Sequence, residues 1–592
     1  MKRLAEALDL VRTSRSRIGK ERALAAALAS VERGDDIALA TAARFAAGRA
    51  LPTGDGRSLG AGFSLFLDVG SAMTGFPESI VGACARKTGD LGEALGLLAA
   101  RREGGERPGL TLGEVAQLFD ALAASGQRSV KRQLLLDAFS EASALEVKYL
   151  SRLLLGSMRT GAQQGVVEGA IARAFSAKPA DVRRAIALVA DPGLCAVIAR
   201  SGRLAAVQLV FGRPVAWMLA TPIETLASPI DPALFVIEDK IDGVRVQAHR
   251  RERNDDGGTF EVALFARGME RVTAAFPEVV DALDGATGEV ALDGEIVARS
   301  EGGRPRPFQT LQPRLKKLVP SREQLAETPV TLVVYDLLAD GGGSCLDLSW
   351  TERRARLEAF VRTVPEHPAL SLHPYRPASS VTMDVAFAEA RAKGFEGLVL
   401  KRVDAPYEAG RRGQAWLKVK RAYATLDVVV TAAEEGHGRR AGVLSDYTFA
   451  VWKGDTLVNV GKAYSGLTDD EIREMTQRLS MRVVEQVGRV RVVRPDIVLE
   501  VAFDGVQPSP RHDSGFALRF PRIVRIREDK GAVDADRLET VEALFAAQVA
   551  EGHREEGPAV RSTDRARRKK PIREDRQLAL FESPHLDRYP KG

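Results

Sequence analysis

The sequence predicts a multidomain protein with an all-helical first third, an α+β middle, an all-β segment after it and a polar tail. Three observations carry this. The chain has 592 residues, too many for one core, and about three to four domains are expected. Up to about residue 212 it is rich in alanine, leucine and arginine, with apolar residues at helical spacing. Beyond that, short β-branched and aromatic runs alternate with turns, at first mixed with helical patterns and from about residue 426 without them.

Composition is ordinary for a water-exposed chain, 45% hydrophobic and 28% charged, with no apolar run long enough to span a bilayer. Met1-Lys2-Arg3-Leu4-Ala5-Glu6 leads into a mixed-charge helical pattern and not into a secretory signal, so a cytoplasmic protein is expected. The net charge of +6 leans towards polyanion partners without specifying one. Cys84, Cys195 and Cys345 are too far apart for a four-cysteine zinc site or a disulfide framework, which suits a reduced compartment and structural roles.

In the helical part, a helix over 145–154 puts Val147, Leu150 and Leu154 on one face. Gly156 and Gly161 bracket a break holding Met158 and Arg159, and the next helix buries Val167, Ala170, Ile171 and Ala174. Lys131, Arg132, Lys148, Arg152 and Arg159 recur beside glycines, where helix starts and bare amides could meet phosphates. Taken singly, each reads more simply as part of a solvated helix face.

The middle part is organised around Glu238-Asp239-Lys240-Ile241-Asp242-Gly243-Val244-Arg245. Phe235, Val236 and Ile237 precede it, and Val244, Val246 and Ala248 alternate with polar residues after it, so the motif lies between two strands. A lysine at a strand end among carboxylates and an arginine can be partly desolvated, and its free amine can attack phosphorus. Lys240 is therefore the expected nucleophile, although the octet alone would also serve as a surface turn. An ordinary lysine has a pKa of about 10.4, so the amine must be lowered, with desolvation, a metal ion and neighbouring cations as the expected means.

Further motifs follow. Arg267 ends a strand, Leu292-Asp293-Gly294-Glu295 places an acid at a strand start, and Tyr335 sits in a buried strand, where core packing is the default. Glu396 and Lys401 come next, then Lys418 and Lys420, two apart on a strand and so on one face. Two ammonium groups there repel unless an anion such as a triphosphate lies between them. The β runs at 427–430, 447–452, 456–460 and 497–501 suggest a small barrel, closing on a cation-rich strand with Arg519, Arg527 and Lys530. After about residue 551 the chain is polar and basic and is expected to be disordered. Within it, Gln577-Leu578-Ala579-Leu580-Phe581 is an apolar patch that reads as a partner anchor.

Taken together and in order, these motifs resemble those of ATP-dependent DNA ligases of the replicative, three-domain type. Those belong to the covalent nucleotidyltransferases, with RNA ligases and mRNA capping enzymes. Lys87-Thr88-Gly89-Asp90-Leu91-Gly92 with residues 146–175 resembles the ligases' helical DNA-binding domain, which capping enzymes lack. The resemblance implies a helical DNA-binding domain over 1–212, an adenylation domain over 213–424, an OB-fold over 425–548 and a basic flexible tail over 549–592. It implies that Lys240 takes AMP from ATP as a phosphoramidate, that Glu238 reads the adenine amino group and that Tyr335 stacks on the base. Arg245 and Arg267 would hold the sugar and the DNA phosphate end, and Glu295 and Glu396 would hold Mg2+ or Mn2+. Lys401, Lys418, Lys420, Arg519, Arg527 and Lys530 would complete the ATP site. Ala266 and Gly268 stand where the family has serine and asparagine, a departure that bears on contacts to the DNA end.

Gln577, Leu578, Leu580 and Phe581 resemble the bacterial sliding-clamp binding motif. The partners implied are nicked duplex DNA and that clamp, with no membrane, for a monomer encircling DNA in the cytoplasm at the nucleoid. An RNA ligase or capping-type enzyme would not explain the helical domain. A non-catalytic, clamp-tethered DNA-binding protein would have no need of Lys240, Glu396, Lys418 and Lys420.

Overall fold

The structure is a computed structural model and describes residues 1–102, 107–226, 229–253, 260–299, 306, 308–315, 319–420, 422–436, 440, 442–487 and 490–550. Gln577, Leu578, Leu580 and Phe581, and the disorder expected of the tail, lie outside the described residues. The chain forms two compact units, one of Met1–Ala390 with Phe395–Val419, the other of Arg391–Gly394 with the chain from Lys420 onward. No helix among the described residues is long and apolar enough to cross a membrane.

The first unit opens with helices running from Lys2–Thr13 to Pro192–Arg200. The helix Ala144–Leu154 shows why they form: Ser143 and Glu146 make a capping box, and Val147, Leu150 and Leu154 are buried on one side. Gln164–Ala174 buries Val167, Ala170 and Ile171, with Ala174 only half-buried. Each of the basic residues has a partner within the protein, Lys131, Lys148 and Arg152 buried and Arg132 and Arg159 partly exposed. Lys148 bonds Asp9 and pairs with Glu93, Arg152 bonds Asp90 and Glu93, and both cations are buried. Lys131 donates to the Leu59 carbonyl, Arg132 to Asp68 and Arg159 to the Gly89 carbonyl. A helical chain of small apolar residues leaves room for such pairs between helices, and hydrophobic periodicity alone cannot tell them from surface charge.

The same apolar core continues through Val215 and Met218 to Tyr335, Tyr407 and Trp416. Two sheets follow. The first has the order β1-β11-β10-β2-β9, with β1 Leu219–Pro222, β2 Phe235–Lys240, β9 Arg376–Pro377, β10 Gly397–Arg402 and β11 Arg412–Val419. The second has the order β4-β3-β5-β6-β7, with β8 also on β6; these are β3 Val244–Glu252, β4 Phe260–Ala266, β5 Val290–Ala298, β6 Val330–Asp340, β7 Gly343–Ser344 and β8 Leu370–Leu372. Residues 240–243 are where the chain passes from one sheet to the other. A Cβ on Gly243 would lie 2.4 Å from the Ile296 carbonyl oxygen, so only glycine lets the crossing run this close to β5.

The second unit is a β domain. Its long strand β12 Ala424–Glu435 pairs with β13 Leu444–Lys453 on one edge. On the other it pairs with β17 Val498–Phe503 through its first half and with β16 Val490–Val493 through its second. β14 Thr456–Ala463, β15 Val483–Val487 and β20 Arg522–Ile526 extend these arms, and β18 Gly505–Pro508 pairs with β19 Phe516–Arg519. Val428, Val430, Phe449, Val460, Leu499 and Val501 form its core. The helical, α+β and then β order expected from the sequence is the order found, but the second unit is not all-β: the helices Asp469–Ser480 and Leu538–Ala550 pack on its sheet core.

Candidate functional site

Lys240 is the last residue of β2, and Glu396 lies beside it because β10 runs antiparallel to β2 with Gly397 opposite Lys240. The Lys240 Nζ is 2.5 Å from Glu396 Oε2. Glu295, from β5, accepts the Gly243 N–H at 3.0 Å and faces the same amine. Burial alone would push the Lys240 amine down, but the charges of Glu396 and then Glu295 outweigh it, and the amine lies above its ordinary value. The expected lowering is therefore not supplied by the protein's own groups.

Burial pushes the Glu295 carboxyl up to about 7, with Lys240 pulling it down and Glu396 raising it. Its proton is held more tightly in the folded chain than in the unfolded one. The stability this contributes is present below the ordinary carboxylate value and lost as pH rises through about 7. Glu295→Gln keeps the acceptor for the Gly243 N–H and cannot ionise. Relative to the native chain it should gain stability between pH 5 and pH 8, by roughly 3 kcal/mol. Denaturant melts of the two proteins across that range check this, and a gap independent of pH contradicts it.

One strand turn back, Glu238 pairs with Lys401 at 2.9 Å, and both are nearly inaccessible. The Lys401 ammonium also donates to the Tyr335 carbonyl at 2.9 Å and sits 4.4 Å from that ring's centroid. Burial raises the Glu238 carboxyl despite Lys401, and its Oε1 is buried with no hydrogen-bond partner. That oxygen is an acceptor awaiting a donor.

Asp293 is the hub of the adjoining wall. It is fully buried and takes the Arg245 Nε at 3.0 Å and Nη2 at 2.6 Å, the Tyr335 hydroxyl at 3.1 Å and the Tyr407 hydroxyl at 2.8 Å. Arg245 donates further to the Met218 carbonyl and lies between the Trp217 and Trp416 rings, 4.7 and 5.3 Å from their centroids. Little of its guanidinium remains to meet a ligand.

These groups line one cleft. Glu238, Lys240, Arg245, Arg267, Glu295, Tyr335, Lys401 and Lys418 all border it. Arg267 is exposed there, anchored through its carbonyl by the Trp217 indole N–H. Arg412, Trp416 and His373 border it too, and sequence reasoning did not assign them. His373 is held neutral, its pKa pushed by burial down to about 4, and its Nε2–H donates to the Asp239 carbonyl at 2.8 Å. A lone histidine in a loop gives no signal of that contact.

The strand expected to hold both Lys418 and Lys420 ends at Val419. Lys420 opens the second unit, with its Nζ 3.7 Å from Asp504 and 6.0 Å from the Phe520 ring centroid. The chain leaves the sheet there, so strand alternation no longer governs where Lys420 points. Phe520 is 63% exposed at a φ of +49°, with the Arg519 guanidinium 5.4 Å from its ring. Arg527 and Lys530 are also in the second unit, both bonded to Asp427.

A helical domain, a two-sheet domain with a lysine at the floor of a charged cleft, and a β domain define a multidomain nucleotidyltransferase. Three family models match the chain: "DNA ligase N terminus" over 1–172, "ATP dependent DNA ligase domain" over 217–420 and "ATP dependent DNA ligase C terminal region" over 440–530. The chain is 41% identical to a probable DNA ligase of Koribacter versatilis over 530 residues, 85% of this chain and 90% of that one. It is 37% identical to a DNA ligase of Thermococcus onnurineus over 517 residues, 84% and 90% of the two chains. The solved structure Pmar-Lig_PreS3 shares the fold, with a TM-score of 0.55 at 18% identity over 88% of this chain and 99% of that one. This chain belongs to the ATP-dependent DNA ligase family.

Proposed function

We propose that this chain seals 5'-phosphate/3'-hydroxyl nicks in duplex DNA with ATP, through AMP carried on Lys240. The observation that carries this is Lys240 at the crossing between the two sheets, ion-paired to Glu396 in a cleft whose Glu238 Oε1 awaits a donor. The adenine amino group is that donor, and the Tyr335 ring bordering the cleft supplies an apolar face for the base. The Lys240 nitrogen then forms a bond to the α-phosphorus as the bridging α–β P–O bond breaks. Pyrophosphate leaves with that electron pair; one ammonium proton has gone to solvent beforehand, and a second leaves the nitrogen after attack to give the neutral phosphoramidate N–H.

Among the described residues no cluster of three ligating side chains exists. Glu295 and Glu396, two carboxylates facing one amine, nevertheless suit Mg2+, which binds one or two carboxylates and completes its shell with phosphates and water. Bound there, the cation would cancel the two charges that hold Lys240 protonated and would shield the α-phosphate. Lys401 holds Glu238 in place, Arg245 braces the wall through Asp293, and Arg267 and Lys418 meet the phosphates and sugar from the cleft's edge.

The AMP passes to the 5'-phosphate of a nick, and the neighbouring 3'-hydroxyl displaces it to close the strand. Arg519, Arg527 and Lys530 orient the β- and γ-phosphates in the first step, which requires the second unit to attend the nucleotide first and DNA later. Exposed Phe520, between cationic Arg519 and Lys420, gives DNA a stacking surface. The pentapeptide 577–581 tethers the chain to a sliding clamp, and the working form is a monomer at the nucleoid.

Lys530→Ala should slow self-adenylation by about 100-fold or more and sealing of pre-adenylated nicks by less than about tenfold. Single-turnover measurement of each step checks the split, and equal losses contradict it.

A further inference from the structure

The second unit holds a carboxylate that no step above uses. Asp427, on β12, takes the Arg527 Nη1 on both its oxygens at 2.8 Å and the Lys530 Nζ at 2.6 Å. Asp529 occupies the other edge of the same guanidinium, accepting from Nε at 2.8 Å and Nη2 at 2.6 Å. Asp427 is itself fixed at the backbone. Its N–H donates to Asp536 Oδ2, and its carbonyl accepts the Asp536 N–H, both at 2.8 Å. A carboxylate thus sits between a guanidinium and an ammonium, the position a phosphate oxygen would take. The Lys530 side chain is 32% exposed, so an incoming anion can reach it. The two cations cannot serve Asp427 and a polyphosphate at full strength together.

We propose that Asp427 is a built-in competitor for the phosphates of ATP. It holds Arg527 and Lys530 until ATP takes them, and it recaptures them from pyrophosphate once the N–P bond at Lys240 has formed. Recapture speeds pyrophosphate release and restrains the reverse reaction. No covalent bond changes at Asp427, which acts only through the two cations and is a positioning residue. The proposal rests on the reading that Arg527 and Lys530 meet the β- and γ-phosphates.

The test compares the full-length native chain with Asp427→Asn, Asp427→Ser and Lys530→Ala. Self-adenylation is measured against ATP concentration and against added pyrophosphate. In both Asp427 variants the KM for ATP and the inhibitory concentration of pyrophosphate should each fall by about threefold or more. Sealing of pre-adenylated nicks, which involves neither phosphate, should change less. Asparagine keeps most of the hydrogen bonds, and serine provides a second, smaller replacement. If Lys530→Ala slows adenylation while both Asp427 variants bind ATP and pyrophosphate no more tightly than the native chain, the competitor role is overturned and the phosphate role of Lys530 stands. If Lys530→Ala adenylates normally, that phosphate role fails, and the competitor with it.

Discussion

Lys240→Ala is expected to lose uptake of label from α-labelled ATP by roughly 10⁴-fold or more, and with it the sealing of ordinary nicks. Sealing of nicks that already carry AMP should survive, because that step asks nothing of the lysine as a nucleophile. The ion pair with Glu396 makes a second variant necessary. Removing the ammonium leaves two carboxylates facing each other in a half-enclosed site, so some loss in alanine could be structural. Lys240→Arg keeps a cation for Glu396 but offers no amine to attack phosphorus. The arginine variant should melt close to the native protein and be as inactive as alanine in adenylation. Label uptake by either variant would mean that a different group is the nucleophile.

Asp293→Ala should cost about 3 kcal/mol of stability, because it removes the counter-charge from a largely buried guanidinium that keeps the Met218 carbonyl. The carboxylate is fully buried and holds Arg245 by two bonds and the Tyr335 and Tyr407 hydroxyls by one each. Its loss takes that acceptor from four donors behind the cleft, two on Arg245 and one each on Tyr335 and Tyr407. Asp293→Asn keeps the shape but supplies one weaker acceptor, so it should fall between the native chain and alanine. Urea melts of the three proteins give the order, and a loss below about 1 kcal/mol in alanine would show that Arg245 finds another partner. Adenylation in the asparagine variant should fall as well, since Tyr335 and Arg245 then border the cleft without a fixed anchor.

The domain order was legible because each part has its own periodicity, and the cleft's charged residues were legible because they sit in short motifs. What the sequence did not give was partnership across long separations. Asp293 read only as part of an acid motif at a strand start, yet it gathers Arg245, Tyr335 and Tyr407 from three separate stretches. Lys148 and Arg152 read as surface charge, and only the packing of helices reveals the acids from distant positions that neutralise them. Lys420 was placed by extending strand alternation one residue past the point where the sheet ends. The Lys240 environment ran opposite to expectation for a similar reason. Burial was foreseeable from the apolar run around it, but the excess charge of Glu396 and Glu295 depends on a crossing between two sheets.

The most direct test of the account is to incubate the protein with α-labelled ATP and Mg2+, map the labelled peptide, and then add unlabelled nicked duplex DNA. Label on Lys240 alone, discharged as sealed DNA appears, is the predicted result. Label on any other residue, or label on Lys240 that nicked DNA leaves in place, would contradict it.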